Sequence, residues 1–318
     1  MCTRVPSPLR AMLASRAWLA VLLGALAGLL GPASPAASAP ATVRELSLWD
    51  KSFRAELVAR VTVTDGDDRL ARMAVEEVIK GAYDRETLKI VFRARNFSRD
   101  YWEEPIQFQE GAELILFLER FRKRGVLQEP DRFVLLKGSQ GKESVPPEGQ
   151  AAFLEAIRRF AAIQELGSQL AIWDAARKLL EEDNPFLVEA GFEQVLKFRL
   201  ADEPMVPVVL RHLEGPSVPF REQAARTLGQ LFEDSRRTDS VLETGDHIRD
   251  LLLHKAMNDE NESVRVESIK ALEASWDDAL VPSFEQIALE DPSQAVRYQA
   301  ERAIYLIRNG REPHEGSR

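Results

Sequence analysis

Apolar positions in the first third of the chain alternate with polar ones or gather into short runs; beyond it they recur at helical spacing. Leu57-Val58-Ala59-Arg60-Val61-Thr62-Val63 is apolar and β-branched, which predicts a strand. Asp65-Gly66-Asp67-Asp68 follows as a hairpin turn, because Asp-Gly tolerates the positive φ that such turns need. A second strand is predicted over residues 71–79, closed by Lys80-Gly81. Leu88-Lys89-Ile90-Val91-Phe92 alternates and reads as a third. After a long loop over residues 96–109, Gly111 introduces Leu114-Ile115-Leu116-Phe117-Leu118, a continuous apolar run suited to a buried central strand. Phe133-Val134-Leu135-Leu136 is the last strand, ended by Gly138 and Gly141. Short strands separated by turn signals predict a small all-β barrel or sandwich over residues 42–144.

Val145-Pro146-Pro147-Glu148-Gly149 interrupts the pattern. Its prolines lack backbone donors and disfavour helix before them, so residues 145–149 read as a linker. Helical spacing follows. Phe153, Ile157, Phe160 and Ala161 share one face; Ala171, Ala175 and Leu179 continue in a second helix. Phe186, Val188, Phe192 and Val195 mark a third, started by Asn184-Pro185 as N-cap and first helical residue.

A cadence then repeats. Asp259-Val264-Arg265-Ser268-Leu272 returns 32 residues later as Asp291-Val296-Arg297-Ala300-Ile304. An earlier copy is Phe220-Arg221-Ala224-Leu228-Leu231, where Pro219 breaks the Val-Arg pair and Gly215 stands in the Asp place. The first Arg-to-Arg interval is 44 because residues 233–246 insert a polar loop. Helices are expected over 204–212, 248–257, 264–274, 280–289 and 296–307, besides the one carrying Arg221. One such pair cannot bury its apolar face alone, so pairs must stack, and small residues such as Ala224, Ser268 and Ala300 let helices approach. Asp291, beside Pro292, is placed near a helix start, where it meets orphan N–H groups and the positive dipole end. This half resembles HEAT repeats of the short bacterial type, over residues 150–308 with a polar tail at 309–318. The resemblance implies an α-solenoid in which Arg and Asp bond along the stack. Arg221, Asp259, Arg265, Asp291 and Arg297 are then structural anchors.

The β half carries Val75-Glu76-Glu77-Val78-Ile79-Lys80-Gly81, then a Val-containing strand, then Gly111-Ala112-Glu113-Leu114-Ile115-Leu116-Phe117-Leu118 and the turn over 138–142. It resembles a domain of exported bacterial proteins with an "EVLKG…LLFL" pattern, some of which look like the OB-type barrel of metalloproteinase inhibitors. Those inhibitors chelate the protease metal through an N-terminal Cys, and no Cys follows Cys2 here, so that mechanism does not carry over. The fold class expected is thus multidomain α+β: a small barrel or sandwich, then an α-solenoid of helix pairs.

Export changes the reading of composition. Arg4, Arg10 and Arg16 precede an uncharged apolar run at 17–30, followed by Ala, Ser and Pro. This is the layout of a secretory signal peptide over residues 1–41. Ala39-Pro40-Ala41 and Ala37-Ser38-Ala39 both offer cleavage sites. The run has 14 residues and a spanning helix needs about 20, so no stable membrane insertion is expected after cleavage. Cys2 would leave with the leader, which removes disulfides, a Cys nucleophile and thiolate metal sites. Losing three arginines takes the net charge from −9 to −12, which argues against nucleic acid. The protein is expected in the periplasm or secreted.

Candidate chemistry is sparse, and no catalytic residue, cofactor or metal site is assigned. His247 and His254 are two helical turns, about 10.5 Å, apart, too far for one metal ion. His212 is isolated and His314 lies in the tail. Gly138-Ser139-Gln140-Gly141-Lys142 lacks the glycine spacing of a phosphate loop and has Glu143 where Ser or Thr is needed. Asp65, Asp67 and Asp68 read as a solvated hairpin tip, and Arg120, Arg122, Lys123 and Arg124 as a charged hairpin loop. Tyr101 and Trp102, flanked by acids in the longest β-half loop, either contact a partner or fold back over the barrel. The expectation is a non-enzymatic scaffold that binds a protein partner through the solenoid. The alternatives are an envelope enzyme or inhibitor with its site in the β domain, and a structural spacer without a specific partner.

Overall fold

A computed structural model describes residues 45–66, 69–92, 106–123, 126–127 and 131–310. A short helix, α1 (Leu48–Arg54), comes first, ahead of the strands. The sequence reading gave this stretch no helix. Ser47 caps it by accepting the Asp50 N–H at 3.2 Å, and Trp49 faces inward.

The strands are β1 (Leu57–Gly66), β2 (Leu70–Lys80), β3 (Thr87–Val91), β4 (Glu113–Arg120), β5 (Arg122–Lys123), β6 (Val126–Leu127), β7 (Arg132–Leu135) and β8 (Lys142–Ser144). β1 pairs antiparallel with β2 and with β4, β2 antiparallel with β3, β3 parallel with β7, and β7 antiparallel with β4. The ladder therefore closes on itself as a five-stranded barrel, which decides between the barrel and the sandwich. β8 takes the free stretch of β4's other edge, Leu114–Leu116, beside β7. A 3-10 turn (Gly138–Gly141) carries the chain from β7 to β8. A Cβ on Gly141 would lie 2.6 Å from Leu136 N and 2.8 Å from Phe117 O, so only glycine fits there.

Alternation sorts the barrel's side chains. Leu57, Ala59, Val61, Leu114, Leu116 and Leu118 point into the barrel with Met73, Ile90 and Phe133. Val58, Ile115 and Phe117 point the other way, yet they too are buried, under Phe153, Leu154 and Ile157 of the first helix after the barrel. β4 is thus apolar on both faces, as its continuous run of apolar residues requires.

The helices that follow are α2 (Gln150–Gln164), α3 (Gln169–Lys178), α4 (Pro185–Phe198), α5 (Val206–Glu214), α6 (Val218–Thr238), α7 (Gly245–Asn258), α8 (Glu262–Glu273), α9 (Val281–Glu290) and α10 (Gln294–Asn309). α2 covers the barrel through the shared cluster above, and Val145 of the Pro-rich stretch packs against it. Trp49 of α1 joins Phe160 of α2 edge-to-face, with ring centroids 5.3 Å apart, in a cluster with Leu179 and Leu187. Lys80 of β2 reinforces this junction: its ammonium donates to Ser52 O at 2.7 Å, Phe53 O at 3.1 Å and Gln164 Oε1 at 2.9 Å. A cation at the carboxyl end of α1 suits the helix dipole. Barrel and helices belong to one compact unit.

Two details of the helical half differ from the expected pattern. The inserted stretch 233–246 is not all loop, because α6 runs on to Thr238 before Asp239 turns left-handed at φ 52. Glu233 and Asp234 explain the extension: both bind Arg199, the C-cap of α4, at 3.0 and 2.7 Å. In α3 the fully buried small residue is Ala176, with Ala171 and Ala175 only half-buried.

Candidate functional site

α5–α6, α7–α8 and α9–α10 pack as three helix pairs. α6 lies against α8 and α8 against α10, whereas α5, α7 and α9 make no comparable contact with one another. The second helices therefore form the tight layer of the array.

The anchors predicted from the sequence stitch that layer together. Arg221 of α6 reaches forward to Asp259 before α8: Nη2 donates to Oδ1 at 3.0 Å, and Nε lies 3.0 Å from Oδ2. Arg265 of α8 repeats the fork on Asp291 before α10, at 2.9 and 3.1 Å. Each Arg also donates through Nη1 to the carbonyl six residues back: Arg221 to Gly215 O at 3.2 Å, Arg265 to Asp259 O at 2.9 Å, Arg297 to Asp291 O at 2.7 Å. The six-residue Asp-to-Arg interval thus lets one guanidinium grip its own turn and the next pair's carboxylate. Arg297 stands on the last pair and has no carboxylate partner among the described residues.

The carboxylates also shape their turns. Asp259 Oδ1 accepts from Asn261 N at 3.0 Å, and Asp291 Oδ1 from Ser293 N at 2.8 Å. Asp291 is the C-cap of α9 and Ser293 the N-cap of α10, so Asp291 lies near the helix start, as expected, and holds the cap residue's N–H. Burial alone would raise the pKa of Asp259; the Asn261 N–H and Arg221 outweigh it and hold the group below the usual carboxylate value. Gly215 in the first Asp place also has a cause. The α4 position matching Arg is Val188, buried at 2 % exposure in the apolar core, so no guanidinium arrives to be paired.

A second polar ladder crosses the same layer. Arg226 of α6 pairs with Glu267 of α8 at 3.0 Å, and Glu273 of α8 accepts from Gln299 and Arg302 of α10, both at 3.0 Å. Glu267 also holds Lys270 at 2.8 Å. Burial would raise its pKa, but Arg226 and Lys270 prevail and lower it.

A different kind of site lies where α1, α3 and α4 meet. A cleft of about 470 Å³ opens there, lined by Trp49, Phe53, Arg54, Trp173, Gln194 and Phe198 among others. Trp49 is buried, while Phe53 and Phe198 at the rim are 51 % and 46 % exposed. The Trp173 and Phe198 rings lie 6.1 Å apart, tilted. Lys197 bonds Asp50 at 2.9 Å and ties α4 to α1 beside the cleft. Trp173 Nε1 and Gln194 Nε2 are enclosed without a hydrogen-bond partner. Sequence reading missed this site. Its only local trace is the exposed or half-buried aromatic in each of three distant segments.

The other candidates take structural places. His212 Nε2 lies 2.7 Å from Leu180 O, and its ring sits edge-on to Phe192 and Phe220. His254 meets Asn258 on the same helix. Lys142 donates to Gln107 O at 2.8 Å, and Arg122 pairs with Glu56 at 3.1 Å. Asp65 pairs with Arg72 at 2.8 Å. Tyr101, Trp102, Asp67, Asp68, Arg124, His314 and the segment 1–41, expected to be a signal peptide, lie outside the described residues. Among the described residues no three His, Cys, Asp or Glu side chains gather to hold a metal, and no helix is long and apolar enough to cross a membrane. No protein-family model matches this chain, and no curated protein matches it.

Proposed function

We propose that this chain is an exported, non-enzymatic interaction scaffold. Its helix pairs are read as HEAT-like repeats that present the α6–α8–α10 layer to a protein partner. The barrel is read as OB-like, a reading supported by the parallel β3–β7 pairing within a closed five-strand ladder. One observation carries the proposal: Arg221–Asp259 and Arg265–Asp291 join successive pairs in register. An array held by its own internal ladders needs no ligand to fold and leaves an extended face for binding. Arg226, Glu267, Lys270, Glu273 and Arg302 on that layer are paired with each other rather than poised for proton transfer, which favours recognition over chemistry.

Tyr298 and Tyr305 of α10, seven residues apart and 66 % and 63 % exposed, are the aromatic contacts this reading assigns to the partner. The test is affinity capture from bacterial envelope extract with the wild-type protein and with a Tyr298→Ala/Tyr305→Ala variant, quantified by mass spectrometry. A reproducible protein retained by the wild type and lost by the variant supports the scaffold. Identical profiles for the two baits, or no specific protein on either, sink it.

A further inference from the structure

Helix α10 closes differently from the helices before it. In α1 to α9 the N–H of the residue after the helix donates to a carbonyl of the last turn. Gly310, which follows α10 at φ 69 and ψ 165, donates to no backbone carbonyl among the described residues. The space where its side chain would stand is open. Asn309 is exposed, and its Nδ2 donates to Tyr305 O at 2.8 Å, so a side chain satisfies a last-turn carbonyl here. An exposed side-chain amide is thus followed by a backbone nitrogen that is neither bonded nor shielded. The chain has no other Asn-Gly.

The other described asparagines lack this combination. Asn184 precedes Pro185, which has no N–H. Asn258 precedes Asp259, whose N–H is bound to Lys255 O at 3.0 Å. Asn261 is half-buried, precedes Glu262, and holds the Ser263 N–H at 2.9 Å.

We infer that Asn309 is a site of spontaneous deamidation, and that this modification uncaps the last turn of α10. Gly310 N gives up its proton and attacks Asn309 Cγ. The new C–N bond closes a succinimide, the Cγ–Nδ2 bond breaks, and Nδ2 leaves as ammonia with that proton. Water then opens the ring at either carbonyl, giving aspartate or an isoaspartate in which the chain runs through the side chain. Water is the only co-reactant, and nothing is oxidised or reduced. Ring closure turns the peptide between Asn309 and Gly310, which glycine's freedom and the missing bond allow. The product carries a carboxylate in place of the Nδ2 donor. It cannot donate to Tyr305 O, and it puts negative charge at the negative end of the helix dipole. Tyr305 belongs to the partner face proposed above. A consequence for binding rests on that reading, whereas the chemistry does not.

The test is peptide mapping of the purified protein during incubation at mildly alkaline pH. Cleavage after glutamate releases residues 302–312, in which Asn309 is the only side-chain amide. A mass gain equal to replacement of NH2 by OH therefore reports on this position alone. Asn309 is expected to convert at least about tenfold faster than Asn258 or Asn261, with isoaspartate in the product. Gly310→Ala sets a methyl group beside the attacking nitrogen without touching the fold, and should slow conversion about tenfold. In Asn309→Asp, the amides of residues 307–309 should exchange about two- to fivefold faster than in wild type. Conversion no faster than at Asn258, a Gly310→Ala rate equal to wild type, or aspartate without isoaspartate each overturns the proposed route. Unchanged exchange in Asn309→Asp overturns the uncapping. None of these measurements needs a partner, so their failure is separate from failure of the scaffold reading.

Discussion

Replacing Arg265 by Ala tests whether the array is held by its guanidinium ladder. The wild-type side chain gives two bonds to Asp291, at 2.9 and 3.1 Å, and one to Asp259 O at 2.9 Å. The pair is buried, with the Arg side chain 11 % and the Asp side chain 5 % exposed. After the change, Asp291 keeps its bond from Ser293 N at 2.8 Å but loses its counter-charge. Stranding one member of a buried pair costs about 3–5 kcal/mol. Arg297→Ala at the matching position removes only donations to Asp291 O and Pro292 O, and water can reach that half-buried side chain. Its cost should be about 1 kcal/mol. The double change Arg265→Met/Asp291→Leu removes both charges and should recover most of the single-mutant loss. Urea unfolding by far-UV circular dichroism gives the free energies. Native-state hydrogen exchange should show lost protection in α9 and α10 before α6, because coupling in such arrays runs between neighbours. An Arg265→Ala cost below about 1 kcal/mol, or one no larger than that of Arg297→Ala, would refute the ladder's role.

Other outcomes follow from single contacts. Gly141→Ala drives a Cβ to 2.6 Å from Leu136 N and 2.7 Å from Leu136 O, so the β7–β8 turn must move; soluble expression at wild-type stability would contradict this packing. Ile157→Ala, at a fully buried position in the cluster shared by α2 and the barrel, should cost about 2–5 kcal/mol. Barrel and helices should still unfold in one transition there, and separate barrel and helix transitions would argue against the shared core. Glu267 has a depressed folded-state pKa, so its stabilisation is full above the unfolded value and fades as pH falls through the folded one. The stability gap between wild type and Glu267→Gln should therefore be complete at neutral pH and shrink below about pH 4. A gap that widens in acid would reverse the assigned sign.

Much of this architecture was legible because it rests on short-range periodicity. Strands β1 to β4 and β7 follow from alternation or from runs of β-branched residues, and each lies within a few residues of its predicted span. The six-residue step from Asp259 to Arg265 marks a pair whose partners are set by one turn of local backbone. Even the exception at Gly215 has a local cause once Val188 is known to face the core. Helix α1 was missed although Ser47 and Asp50 signal its cap, because seven residues are too few to show a helical period. The continuation of α6 past residue 232 was missed because its support comes from Arg199, more than thirty residues away.

The sequence by itself determined strands β1 to β4 and β7, the change from strands to helix pairs after residue 149, and the Arg and Asp positions that recur with the pairs. Local backbone preference and near-neighbour burial fix these, so they leave a repeating trace in one dimension. Only the tertiary structure decided that β1 meets β4 and β3 runs parallel to β7 to close the barrel, and that α2 roofs it. It alone brought Arg54, Trp173 and Gln194 to one cleft. No period links those positions; they line one cleft because separate apolar faces must be buried together.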